Sequence, residues 1–181
     1  MHGTENPSAW LQRWSHLIAP GSTVLDVACG AGRHMHYLAA LGHHVTGVDR
    51  NPDAVVMAQS SGEVVCADIE NGPWPFADRT FGCVVVTNYL WRPLLPMVVA
   101  SVAPGGLLIY ETFAAGHDSV GKPSRPDFLL QSGELLRATE GLRTVAYEDG
   151  FEASPDRFVQ RIVAARDESP NTLHRWPLRS A

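Results

Sequence analysis

The sequence predicts an α/β sandwich around a seven-stranded, mostly parallel sheet whose terminal strand is reversed. Three observations carry this reading. Short β-branched runs alternate with segments whose apolar residues recur at helical spacing, from Thr23 to Ala165. The run at 83–87, Cys-Val-Val-Val-Thr, is apolar on both faces, as the centre of a parallel sheet requires. The last two strand segments lie too close together for a helical crossover, so they pair antiparallel.

Taken in order, residues 8–18 place Trp10, Trp14, Leu17 and Ile18 on a helix that Ser8 can cap and Pro20-Gly21 ends. Thr23–Val27 is the first strand. A helix at 33–41 stops at Gly42, and a second strand at 44–48 ends in Asp49. A helix at 52–60 opens on a proline, which a first turn tolerates, and the third strand, 64–67, ends at Asp68. A Pro/Gly-rich link at 71–78 leads to the fourth strand at 83–87. A helix at 94–102 stops before Pro104-Gly105-Gly106, and 107–110 is the fifth strand. The polar stretch 112–131 reads as a loop of a length that is usually functional or disordered. A short helix at 133–139 and strands at 143–148 and 158–165 complete the fold. The expected organisation is an N-terminal helix at 1–20, serving as a lid or as plain packing, then a main domain at 21–166. A tail follows at 167–181, pinned by Trp176.

Composition narrows the function. With 45% hydrophobic and 18% charged residues the chain is an ordinary globular protein. Fourteen Lys+Arg against 19 Asp+Glu give a net charge of −5, so no basic footprint for nucleic acid or an anionic membrane is expected. The span 93–110 lacks charge, but its prolines and glycines break it short of the about 20 apolar residues a membrane-crossing helix needs. The opening residues show no basic segment followed by an apolar one, and so no signal peptide. Cys29, Cys66 and Cys83 are odd in number and lack C-x-x-C spacing, which points to a reducing, cytoplasmic setting. His34 and His36 fall on different helix faces and His43-His44 straddles a helix end, so no metal is expected.

In a parallel sheet, ligands bind beyond the carboxyl ends of the strands, where strand order reverses. The first strand runs into Asp-Val-Ala-Cys-Gly-Ala-Gly-Arg at 26–33. Small residues at 28, 30 and 32 let the backbone pass close beneath a ligand and open a helix whose N-terminus favours negative charge. A G-x-G-x-x-G dinucleotide fingerprint fails, since Met35 stands where the third glycine belongs, and counting from Ala28 it fails at Arg33. Asp49 lies 23 residues beyond Asp26, near the roughly 20-residue offset at which a carboxylate reaches ribose hydroxyls. Asp68 ends the third strand, where it can accept from an adenine amino group.

The segments VLDVACGAGRHMHYLAALGHHVTGVDRN, CADIE, FGCVVVTNYL and PGGLLIYETF resemble the class I S-adenosylmethionine-dependent methyltransferases. The GxGRHxxYLAxxGHxVxGVDRN portion is most similar to the small tellurite-resistance and thiopurine methyltransferase group. The resemblance implies a Rossmann-like three-layer sandwich and S-adenosyl-L-methionine as cofactor. It implies that Ala28 (a glycine in the family), Gly30 and Gly32 line the methionine and ribose, and that Asp26 helps hold the ammonium. It assigns Asp49 to the ribose, Asp68 and the Ile69 backbone to the adenine, and Thr87 and Asn88 to the face shared by methionine and substrate. Arg33, in the first turn of its helix, can pair with the cofactor's carboxylate.

Methyl transfer chiefly needs a positioned nucleophile, with a base only where that nucleophile starts protonated, so no universal catalytic residue is expected. The D/N-P-P-Y signature of amino-directed base and glutamine methyltransferases is absent, Thr-Asn-Tyr-Leu-Trp-Arg occupying 87–92. Substrate-side candidates are Tyr89, Trp91, Arg92 and Glu111, with His117, Lys122 and Arg125 from the long loop. The expected protein is a methyltransferase acting on a small or medium-sized molecule. The alternative is a non-catalytic cofactor-binding regulatory or scaffolding subunit. An open pocket beside the methyl position supports the first, a filled one the second. So short a chain leaves little room for an inserted substrate domain, which leaves a homodimer to complete the pocket.

Overall fold

A single sheet orders every other element. The computed structural model describes residues 6–169 and 174–178. Its strands are β1 (Thr23–Val27), β2 (His44–Asp49), β3 (Glu63–Cys66), β4 (Phe81–Thr87), β5 (Val102–Phe113), β6 (Arg143–Glu152) and β7 (Arg157–Ala165), arranged β3-β2-β1-β4-β5-β7-β6. β7 alone is reversed, pairing antiparallel with both β5 and β6. The order turns back between β1 and β4, where the two strands lie side by side and leave a crevice at their carboxyl ends.

Alternation along the strands splits the core in two. Leu25, Val84, Val86, Leu108 and Tyr110 face one side, packed with Leu94, Val98 and Leu135. Val24, Val85, Leu107 and Ile109 face the other, packed with Trp10, Trp14, Met35 and Leu38. Helices α1 (Ala9–Trp14), α2 (Arg33–Ala40) and α3 (Pro52–Ala58) lie on the second side; α4 (Leu95–Ala100) and α5 (Glu134–Ala138) lie on the first. Ser8 caps α1 by accepting from the amides of Trp10 and Leu11, and Asn51 caps α3. Trp10, 1% exposed, donates from Nε1 to the Ile162 carbonyl, fixing α1 on β7.

Several elements differ in extent from the sequence expectation: β4 starts at Phe81 rather than 83, the helix expected at 94–102 is α4 at Leu95–Ala100, and β6 runs on to Glu152 rather than ending at 148. The fifth strand begins at Val102 rather than 107, because the Pro-Gly-Gly stretch bulges out of a continuing strand instead of ending it. Arg166 closes that bulge, exchanging backbone hydrogen bonds with Gly105 and Gly106 while its guanidinium donates to the carbonyls of Val99 and Val102. The 112–131 loop starts two residues later, since Thr112 and Phe113 belong to β5, and its ends are joined by a bridge between Ala114 and Leu130. Trp176 packs against the second core cluster, and the Pro177 carbonyl lies 3.0 Å from His16 Nε2. The rest of the expected tail, at 170–173 and 179–181, lies outside the described residues, as do residues 1–5 of the N-terminal segment. No described helix is long and apolar enough to cross a membrane.

Candidate active site at the strand ends

The loop after β1 alternates left-handed residues: Ala28 at φ 55°, Gly30 at φ 55° and Gly32 at φ 83°. The loop is tied down by its own amides: Cys29 donates to the Val48 carbonyl, Gly30 to Asp49 and Gly32 to the Cys29 carbonyl. Two glycines are demanded by contact. A Cβ on Gly32 would stand 2.8 Å from Ala58 Cβ, so α2 starts hard against α3. A Cβ on Gly47 of β2 would run into Met35 Sδ and lie 2.8 Å from Cys29 Sγ, so the loop and α2 close directly over that strand.

The three acids stand in three environments. Asp49 accepts from the amides of Gly30 (2.8 Å) and Asn51 (2.9 Å), one on each oxygen. Asp68 is exposed and accepts from the amides of Glu70 and Asn71 and from Asn71 Nδ2, contacts that hold its carboxyl below the usual range. Asp26 is 1% exposed, and its Oδ2 meets no hydrogen-bond donor among the described residues. Burial pushes its pKa up to about 8, opposed by the Arg33 charge and reinforced by that of Asp49.

Three adjoining cavities make one cleft along this edge. The first, about 380 Å³, is bordered by Asp49, Asp68, Ile69, Tyr89 and Phe128. The second, about 390 Å³, is bordered by Gly30, Arg33, His34, Thr87 and Lys122. Ala28, Asn88 and Phe113 border both. The third, about 430 Å³, continues outward past Arg33, Asn88 and Lys122 to Ser8, His117 and Arg157.

Residues 24–106 match the family described as a methyltransferase domain. That match covers a little under half of this chain. The ribosomal protein L11 methyltransferase of Burkholderia mallei is 38% identical over 106 residues, covering 54% of this chain and 33% of that protein. The malonyl-[acyl-carrier protein] O-methyltransferase of Erwinia billingiae is 31% identical over 103 residues, covering 52% of this chain and 40% of that one. The chain thus spans between 33% and 40% of the length of these relatives. In fold it is similar to TehB from Haemophilus influenzae, with a TM-score of 0.72 at 19% identity, over 92% of this chain and 64% of that one. It is also similar in fold to a TehB-like SAM-dependent methyltransferase from Corynebacterium glutamicum, with a TM-score of 0.64 at 19% identity, over 91% of this chain and 90% of that one.

The fold brings together all ten residues expected on the cofactor side at the ends of β1, β2, β3 and β4, with Asp26 and Gly32 just behind the cleft surface. The substrate-side candidates divide. Tyr89 borders the first cavity, with burial and the neighbouring Glu70 carboxylate raising its phenol pKa. Trp91 does not reach the cleft surface; it packs against the hydrophobic core. Arg92 is committed elsewhere, donating to both oxygens of Glu134 (2.7 and 3.0 Å) and to the carbonyls of Asp127 and Leu129. Glu111 is 2% exposed, accepts from Ser8 Oγ at 2.7 Å and pairs with Arg161 at 3.1 Å. In the loop, His117 stacks on Phe113 with ring centroids 4.3 Å apart, and Lys122 borders two of the cavities. Arg125 is exposed and pairs with Asp127. Burial, with the Asp26 and Asp49 charges, raises the pKa of the Cys29 thiol, which suits packing and not nucleophilic attack.

The sequence pattern assigned no ligand-side role to His34, to Phe113 at the end of β5 or to the loop residues Pro123 and Phe128. The only sequence signal for His34 was its place two residues after Gly32, inside the motif. Its partners, Ser8 and Thr87, lie 26 and 53 residues away.

Proposed function

We propose that the protein is an S-adenosylmethionine-dependent methyltransferase acting on a small or medium-sized molecule by in-line methyl transfer. The observation that supports this is the open cleft, which runs from Asp68 past the loop after β1 to Arg157 without a side chain plugging it. A scaffolding subunit, which needs cofactor binding alone, has no use for the outer cavity. Each of the two inner compartments falls in the roughly 300–1,000 Å³ range of small-ligand sites.

The residues fit the cofactor. The small residues of the left-handed loop let the backbone pass close beneath the methionine and ribose, and the buried Asp26 Oδ2, which meets no donor among the described residues, suits the ammonium. Asp49 retains lone pairs for the ribose diol, while Asp68 and the Ile69 backbone flank the adenine end. Arg33, Thr87 and Asn88 face the methionine. Bound here, the cofactor supplies a methyl group on a positively charged sulfur. The chain then positions the acceptor and excludes water, with Phe113, Lys122 and the 114–131 loop as the substrate wall. Asn6, Pro7, Ser8 and Ala9 border the outer cavity, which supports a covering role for the N-terminal segment.

Calorimetric titration with S-adenosylmethionine tests the cofactor assignment. A metabolite screen with methyl-labelled cofactor tests the transfer. Micromolar binding with label incorporated into a small molecule is expected. Binding without any acceptor, small or protein, favours the scaffold, and incorporation into protein alone would redirect the substrate class.

A further inference from the structure

His34, in the first turn of α2, is 2% exposed and has both ring nitrogens engaged. Its Nε2 lies 3.2 Å from the backbone nitrogen of Ser8. An amide can only donate, so Nε2 carries the lone pair. A neutral imidazole then holds its proton on Nδ1, which lies 3.2 Å from Thr87 Oγ1. The ring is neutral: burial and the adjacent Arg33 charge push its pKa down to about 3. Thr87 Oγ1 therefore accepts from His34, and its own hydrogen must point away. Among the described residues the hydroxyl makes no second hydrogen bond. Thr87 borders the cavity that also presents Arg33 and Lys122 and has no acidic residue in its wall.

We propose that His34 is a positioning residue that turns the Thr87 hydroxyl into a hydrogen-bond donor for the carboxylate of S-adenosylmethionine, its tautomer fixed by the Ser8 amide. This rests on the function proposed above. The N-terminal segment thereby reaches the methionine compartment through one ring. Loss of the Ser8 contact frees the tautomer, and with it the direction of the Thr87 hydrogen. The same bookkeeping excludes His34 as a general base, because its one lone pair is already taken.

Nitrogen-15 NMR of the full chain reads the tautomer directly. A bare Nε2, a protonated Nδ1 and no titration between about pH 5.5 and 8 are expected. A proton on Nε2, or titration in that range, overturns the proposal whatever the variants do. In calorimetry, Thr87→Val should weaken S-adenosylmethionine binding about fivefold to tenfold and leave binding of the decarboxylated cofactor unchanged. His34→Gln, whose amide reaches toward the Nε2 position and leaves Thr87 without its donor, should lose affinity. His34→Asn, which keeps an N–H near Nδ1, should largely restore it. His34→Gln added to Thr87→Val should cost nothing more. Equal affinity of wild type and Thr87→Val for the normal cofactor sinks this inference alone. Failure of the wild type to bind the cofactor at all sinks the proposed function, and this inference with it.

Discussion

The backbone amide of Gly30 donates a 2.8 Å hydrogen bond to Asp49 Oδ2, tying the loop after β1 to the end of β2. The other oxygen accepts from the amide of Asn51, the cap of α3. A carboxylate offers about four acceptor sites, so two remain for a ribose diol. Asp49→Ala should weaken S-adenosylmethionine binding at least tenfold in calorimetry, about 1.4 kcal/mol. Unchanged affinity would refute the ribose assignment.

Asp26 couples pH to both stability and binding. Its folded pKa of about 8 lies above the ordinary aspartate value of 3.8, so the native state binds more protons than the unfolded chain between those values. Stability of the ligand-free protein should therefore fall as pH rises from 4 toward 8. Asp26→Asn keeps the shape and removes the charge. It should flatten that dependence, stabilise the free protein at pH 8 by roughly 1 kcal/mol or more, and weaken cofactor binding. Melting curves at pH 5 and pH 8 for both proteins decide the matter; parallel curves would contradict the buried charge.

Arg92 joins the segment after β4 to the 114–131 loop through Glu134 and two loop carbonyls. The pair is partly exposed, so Arg92→Ala should cost roughly 1–2 kcal/mol rather than the full penalty of a buried pair. Hydrogen exchange should accelerate in 114–131 well before it does in β1 or β4. Uniform acceleration across the sheet would show that Arg92 does not act on the loop.

Gly47→Ala should destabilise the fold by about 1–3 kcal/mol, since the new methyl meets Met35 and Cys29 in a closed space. Urea denaturation measures it. Met35→Ala in the same chain should recover part of the loss, and no recovery would place the strain elsewhere.

What the sequence revealed followed from locality. Asp26, Asp49 and Asp68 were legible because each interrupts or ends an apolar run, and the loop because its small residues lie within five positions. The fifth strand was read short because a proline and two glycines look like a terminator. Only Arg166, about sixty residues on, shows that they form a bulge. Glu111 follows an apolar run just as Asp49 does, yet it lies inside β5 and is paired with Arg161, brought in by the reversed β7. The same holds for Arg92 and Glu134. Long-range partners decide whether a charged residue faces a ligand or the protein, and no local pattern carries that information.

The placement of β7 between β5 and β6 bears on how the protein is made. Residues up to 113 leave the ribosome first, and they carry the strand-end residues of the cleft, but one side of β5 then has no hydrogen-bonding neighbour. That apolar edge stays unsatisfied until residue 165 has been translated. A nascent chain stalled before β7 is therefore a sticky intermediate, prone to adding a foreign strand. Its yield in the cell should depend on elongation speed through 143–165 and on chaperones that shield strand edges.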